Sequence, residues 1–143
     1  MKLDWVESSL FLMIASAEAT DHYLDEQEIE TIIEKTNKLV LNYGKKQKLT
    51  TSETVQKKFN KMIDWYNTIG DAAPQGKMDA KIANEVQKVT DYLKNQPCFN
   101  QTFAQSLIAD LVDIAEADGE VIEKEKKFIN EIARLWGVEE IFN

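Results

Sequence analysis

Cysteine is nearly missing from this chain. Cys98 is the only one in 143 residues, which excludes an internal disulfide and a cysteine-rich zinc site. Histidine is as scarce: His22 stands alone, so Ser8, Ser9, Thr50, Thr51 and Ser52 have no second histidine with which to build a triad. A glycine-rich phosphate loop, a Cys-x2-Cys pair and a paired-histidine helix motif are all lacking. Together these absences weigh against an enzyme. The longest apolar run is the stretch from Leu10 to Ala15, far short of the ~20 residues that span a bilayer. Asp4 and Glu7 precede it, so it lacks the basic flank of a signal peptide. Basic residues are outnumbered 17 to 25, for a net charge of −8. That balance argues against nucleic acid and anionic membranes as partners. A cytoplasmic address is expected.

What is present is a helical pattern. The length and 43% hydrophobic content suit one domain, residues 1–143, with a real core. Val6, Leu10, Met13, Ile14 and Ala17 make the apolar stripe of a first helix. Asp25 with Glu28 three residues on reads as the capping box of a second. Ile29, Ile32, Ile33, Leu39 and Val40 supply its buried face, and Gly44 its stop. A third opens at Thr50 and Glu53, carries Val55, Phe59, Met62, Ile63 and Tyr66, and closes at Gly70. Met78, Ile82, Val86, Val89 and Leu93 form a fourth, ending before Pro97. Phe99, Phe103, Leu107, Ile108, Leu111 and Ala115 form a fifth. Phe128, Ile129, Ile132, Ala133 and Trp136 form a sixth, stopped by Gly137, with Val138 to Phe142 as a short turn on the core. No strand pattern emerges. The expected fold is an all-α bundle of six to seven helices.

Two stretches repeat one device. Asp21, Leu24 and Glu28 in the first copy answer to Asp118, Val121 and Glu125 in the second, at a constant offset of 97 residues. Each copy ends one apolar stretch and opens another, so the chain contains two acidic helix-turn-helix motifs. Fourteen of the 25 acids fall within residues 18–34 and 110–125, where Lys124 is the only base. Clustered carboxylates are what hard cations bind. Two carboxylates about 6 Å apart at an effective dielectric near 20 repel by roughly 2–3 kcal/mol, which a shared cation would relieve. The pairing of the two motif-bearing helix pairs would close the bundle. The second turn matches half of an EF-hand loop. With Gly119 at position six, Val121 falls at eight and Glu125 at twelve, but Ile114 stands at position one, where an Asp is needed. Further ligands would have to come from the first turn. The competing reading makes Asp25, Glu28 and Asp118 helix-start residues favoured by capping and the helix dipole, with no ligand.

The residues Ala115, Glu116, Ala117, Asp118, Gly119, Glu120, Val121 and Glu125, followed by Phe128, Ile129, Ile132, Ala133 and Gly137, resemble the signature of the TerB-like family of tellurite-resistance proteins. The resemblance implies an all-helical domain with two acidic Asp-Gly-x5-Glu turns. It also implies divalent-metal binding and a scaffold role in stress response, without catalysis. It puts Asp118 and Glu125 foremost, with Asp21 and Glu28 as counterparts. His22 replaces the first glycine and Ile122 stands where a capping Asp or Ser belongs, both departures from that pattern.

The metal candidates are therefore Asp21, Asp25, Glu28, Asp118, Glu120 and Glu125. Such oxygen donors favour Ca²⁺, Mg²⁺ or Mn²⁺, while His22 admits Zn²⁺. The expected function is a divalent-cation-binding interaction domain for a protein partner. A metal-independent acidic docking module is the alternative, and a metal-dependent hydrolase the least favoured. A lysine-rich segment from Lys45 to Lys61 reads as a solvated face or a basic patch. Trp5, Trp65 and Trp136 read as packing residues.

Overall fold

In the computed structural model, residues 3–18, 26–43, 52–72, 78–117, 121 and 123–142 are described. They form six helices and no strand: α1 (Trp5–Glu18), α2 (Glu26–Tyr43), α3 (Ser52–Ala72), α4 (Met78–Lys94), α5 (Gln101–Glu116) and α6 (Glu123–Trp136). Residues 138–142 run as non-helical chain, with Val138 and Phe142 packed on the core. None of the described helices is long and apolar enough to cross a membrane.

The bundle is organised by the internal repeat. Trp5 of α1 meets Phe103 of α5 edge-on at 6.0 Å. Thr36 of α2 reaches Met13 of α1, while its neighbour Lys35 reaches Asp110 and Asp113 of α5. Met13 therefore stands level with residues 110–113, and Trp5 with Phe103. So α1 and α5 run parallel, in a register close to the 97-residue repeat. Both α2 and α6 pack on α1 and on α5, and they do not touch each other among the described residues. They flank the α1–α5 pair on opposite sides. This is a pseudo-two-fold arrangement about an axis along the bundle, carrying α1–α2 onto α5–α6. Equivalent positions share a fate: Leu10 and Leu107, Ile14 and Leu111, Ile32 and Ile129, and Leu39 and Trp136 are all buried.

The hairpin of α3 and α4 breaks the symmetry. Both of its helices lie on α1, which leaves α1 surrounded and buried from Trp5 to Ala17. An apolar stripe on one face is therefore only part of α1; a helix enclosed by five others must be apolar or small all round. Its small polar residues Ser8, Ser9 and Ser16 are fully buried too. On α5 the positions equivalent to Ser8, Leu12 and Ser16 are Gln105, Ala109 and Asp113, and these are exposed. Covered face and open face differ in sequence as the packing requires.

Two boundaries differ from the sequence reading. α3 passes through Gly70 to Ala72, because a lone glycine costs a helix only ~1 kcal/mol and Pro74 is the nearest true breaker. α5 begins after Phe99, since the Asn100 side chain accepts from the Phe103 amide at 2.8 Å and caps the helix. The starting caps proposed at Asp25 and Thr50, and the stop at Gly44, lie outside the described residues. Gly137 does end α6. Its φ is +69°, the Val138 amide donates to the Ala133 carbonyl and the Gly137 amide to Arg134, which is a Schellman closure. A Cβ on Gly137 would meet nothing within 4 Å, so only the left-handed backbone opposes a side chain there. Gly137→Ala is expected to lower unfolding free energy by about 1–2 kcal/mol in urea titration. A loss above ~3 kcal/mol would show that more than backbone strain is at stake.

Candidate functional site

The start of α1 shows how this chain uses a glutamate in the first turn of a helix. The Glu7 amide donates to Asp4 Oδ1 at 2.7 Å and the Asp4 amide to Glu7 Oε1 at 3.0 Å. This is a reciprocal capping box that the spacing Asp4-x-x-Glu7 could have announced. Glu7 is 5% exposed, and its second oxygen accepts from Lys61 at 2.7 Å.

Two other glutamates occupy the same third position of a helix. Glu28 in α2 and Glu125 in α6 are 6% and 2% exposed. With Glu7 they are the buried carboxylates among the described residues. They are also repeat-equivalent, and the register puts them at one end of the bundle. The antiparallel pairing of Met13 with Thr36 sets Glu28 beyond the end of α1. Lys35 with Asp110 and Asp113, and Tyr43 with Ser106, set it beyond the end of α5. Two buried carboxylates therefore flank the place where α1 and α5 stop. Asp21, His22, Asp25, Asp118 and Glu120 lie outside the described residues. Among the described ones no group of three or more metal-binding side chains converges.

The match of a family model covers both repeats: that of the tellurite resistance protein TerB fits residues 7–141. The chain belongs to the TerB family. Among curated proteins none matches the chain, and among solved structures none does either. The name TerB carries tellurite resistance as a family label, while the residues themselves carry carboxylate chemistry.

In this TerB member an electrostatic clamp lies one to two turns from the acidic end. Lys35 Nζ sits 2.8 Å from Asp113 and 4.0 Å from Asp110. The hydrogen bond that Lys35 donates to Asp113 raises the lysine above its ordinary range. Burial pushes the Asp110 carboxyl up to about 6, and the attraction of Lys35 does not offset it. Sequence reading singled out the acidic segment but had no signal for Lys35, whose partners lie 75 and 78 residues away. Because the folded Asp110 holds its proton more tightly than the unfolded one, its contribution to stability falls as pH rises from about 4 through 6. The cost above pH 6 is on the order of 2–3 kcal/mol. Asp110→Asn, which leaves the Lys35–Asp113 pair in place, is expected to stabilise the protein by about 1–2 kcal/mol at pH 7.5 and to change little at pH 4. Urea titrations at both pH values check this, and an equal shift at both would contradict it.

The other candidates resolve into packing. Lys58 and Lys61 are tied to Asp4 and Glu7 at 2.5 and 2.7 Å, so two of the three described lysines of the basic segment serve the α1–α3 contact. Lys45, Lys46 and Lys48 lie outside the described residues. Cys98 is half-buried, and burial pushes its thiol up, away from the thiolate a nucleophile needs. Trp5 and Trp136 are buried and Trp65 is half-buried.

Proposed function

We propose that this TerB-family chain is a non-enzymatic, cytoplasmic interaction module that binds a divalent cation between its two acidic turns, in a stress response of the kind the family name suggests. The observation that carries the reading is the repeat-equivalent pair Glu28 and Glu125, buried at one end of a pseudo-two-fold bundle. A cation shared by two turns would lock α2 and α6 to the α1–α5 pair. Glu28 and Glu125 would supply ligands, joined by Asp21, Asp25, Asp118 and Glu120. The donor set is hard oxygen and fits Ca²⁺, Mg²⁺ or Mn²⁺; His22 would draw the preference toward Zn²⁺.

The capping box of Glu7 favours a second reading. It shows a buried glutamate at the same helical position held by the Asp4 backbone amide and a lysine. If Glu28 and Glu125 do no more than this, the acidic end is a metal-independent docking face for a basic partner. Calorimetric titration of metal-stripped protein with Ca²⁺ separates the two. Saturable heat supports the module; none at millimolar metal, with partner capture that is salt-sensitive and chelator-indifferent, supports the docking face.

A further inference from the structure

The pseudo-two-fold axis exposes a vacancy on α5. On α1, Phe11 receives the aromatic rings of α3, with Trp65 at 5.2 Å and Tyr66 at 5.8 Å. The repeat carries Ser8 and Phe11 onto Gln105 and Ile108 of α5. No helix lies over that face among the described residues. Instead there is a groove of about 340 Å³ lined by Gln105, Ile108, Val138, Glu139, Glu140 and Ile141.

The far wall of this groove is fixed in place. Asn130 of α6 bonds both ways with the backbone of Phe142, donating to its carbonyl at 2.5 Å and accepting from its amide at 3.1 Å. Arg134 forks onto one oxygen of Glu140 at 2.9 and 3.0 Å. So held, the segment presents Ile141 with 48% of its surface exposed, one of two large hydrophobics displayed among the described residues. Arg134 is engaged by Glu140, and Glu139 on the rim has no ion pair among the described residues. Ile108 at the base is 2% exposed, so the pinned aliphatic wall of Val138 and Ile141 and the unpaired carboxylate of Glu139 define the complement: an aromatic or aliphatic side chain with a lysine or arginine beside it.

We propose that this groove docks an amphipathic helix of a partner protein, one that carries an aromatic anchor and a flanking basic residue and lies on α5 as α3 lies on α1. The occupant shares the aromatic anchor of α3, whose Trp65 and Tyr66 fill the equivalent place on α1. The places of Asp4 and Glu7, which hold Lys58 and Lys61 there, are taken on α5 by Gln101 and Ala104, so its basic residue meets Glu139 instead. The proposal deepens the interaction half of the function above and rests on that half alone. The groove lies toward the end of α5 away from the acidic turn, so cation binding can fail and leave it intact.

The test uses the full chain in chelator and physiological salt, with a helix-stapled peptide of residues 52–72 as probe, followed by amide NMR. Saturable shifts at Gln105, Val138, Glu139 and Ile141 are expected. Ile141→Asp and Glu139→Lys, both at exposed positions, are each expected to weaken binding at least tenfold while leaving the spectrum folded. No shifts, shifts confined to the α1–α3 contact, or shifts indifferent to both substitutions would overturn the proposal. Concentration-dependent self-association removed by Ile141→Asp would also overturn it, by assigning the groove to a second copy.

Discussion

Truncation of Phe103 to alanine is expected to lower unfolding free energy by about 3–5 kcal/mol, the range for a large buried aromatic. The ring is fully buried and central to the contacts that fix the register of the two halves. It meets Trp5 of α1 at 6.0 Å, Tyr43 of α2 at 5.0 Å and Phe99 at 5.9 Å, and Phe99 in turn meets Trp136 of α6 at 5.4 Å. Edge-on aromatic pairs add ~0.5–1.5 kcal/mol beyond their area, so several are lost together. Phe103→Leu keeps most of the volume and is expected to cost under half as much. Urea titration of both variants checks this, and a loss below ~1 kcal/mol for Phe103→Ala would mean that the α1–α5 register is not what holds the bundle.

The second large effect concerns the two buried glutamates. Glu28→Gln and Glu125→Gln are each expected to reduce Ca²⁺ affinity at least tenfold, since affinity at such sites follows the count of charged ligands. Each keeps side-chain size, so metal-free stability is expected to change by no more than about 1–2 kcal/mol. The double variant distinguishes one shared cation from two separate ones. With one site, the two losses couple, because the second substitution acts on a site the first has already weakened. With two, each substitution abolishes its own binding step and spares the other. Unchanged affinity in both single variants would remove these residues from any metal site and leave them as helix-start glutamates like Glu7.

Much of this architecture could be read from the sequence because two signals were long and regular. The 97-residue repeat is a sequence pattern, and the structure turns it into the parallel register of α1 and α5. Apolar spacing located all six helices, and Gly137 ended α6 by the backbone preference expected of it. Most of what the pattern does not carry depends on partners distant in the chain. Periodicity finds one face of α1, but its burial on every side follows from α3 and α4 closing over it. Asp4 and Glu7 carried a local capping signal that went unread, as did Asn100 before α5. Lys35 is one charged residue among many until α5 brings Asp110 and Asp113 beside it. For the candidate site, sequence supplied six acids and a histidine. Of these, Glu28 and Glu125 are described, and their burial is the property no spacing rule could give.

The most direct measurement is an NMR titration of metal-stripped protein with Ca²⁺, with Mg²⁺ and Zn²⁺ alongside, following the amides of His22, Glu28, Gly119 and Glu125. The account predicts that both turns shift together and saturate at one equivalent of cation. Silence at both turns up to millimolar metal, or saturation of one turn without the other, would contradict a cation held between the two halves.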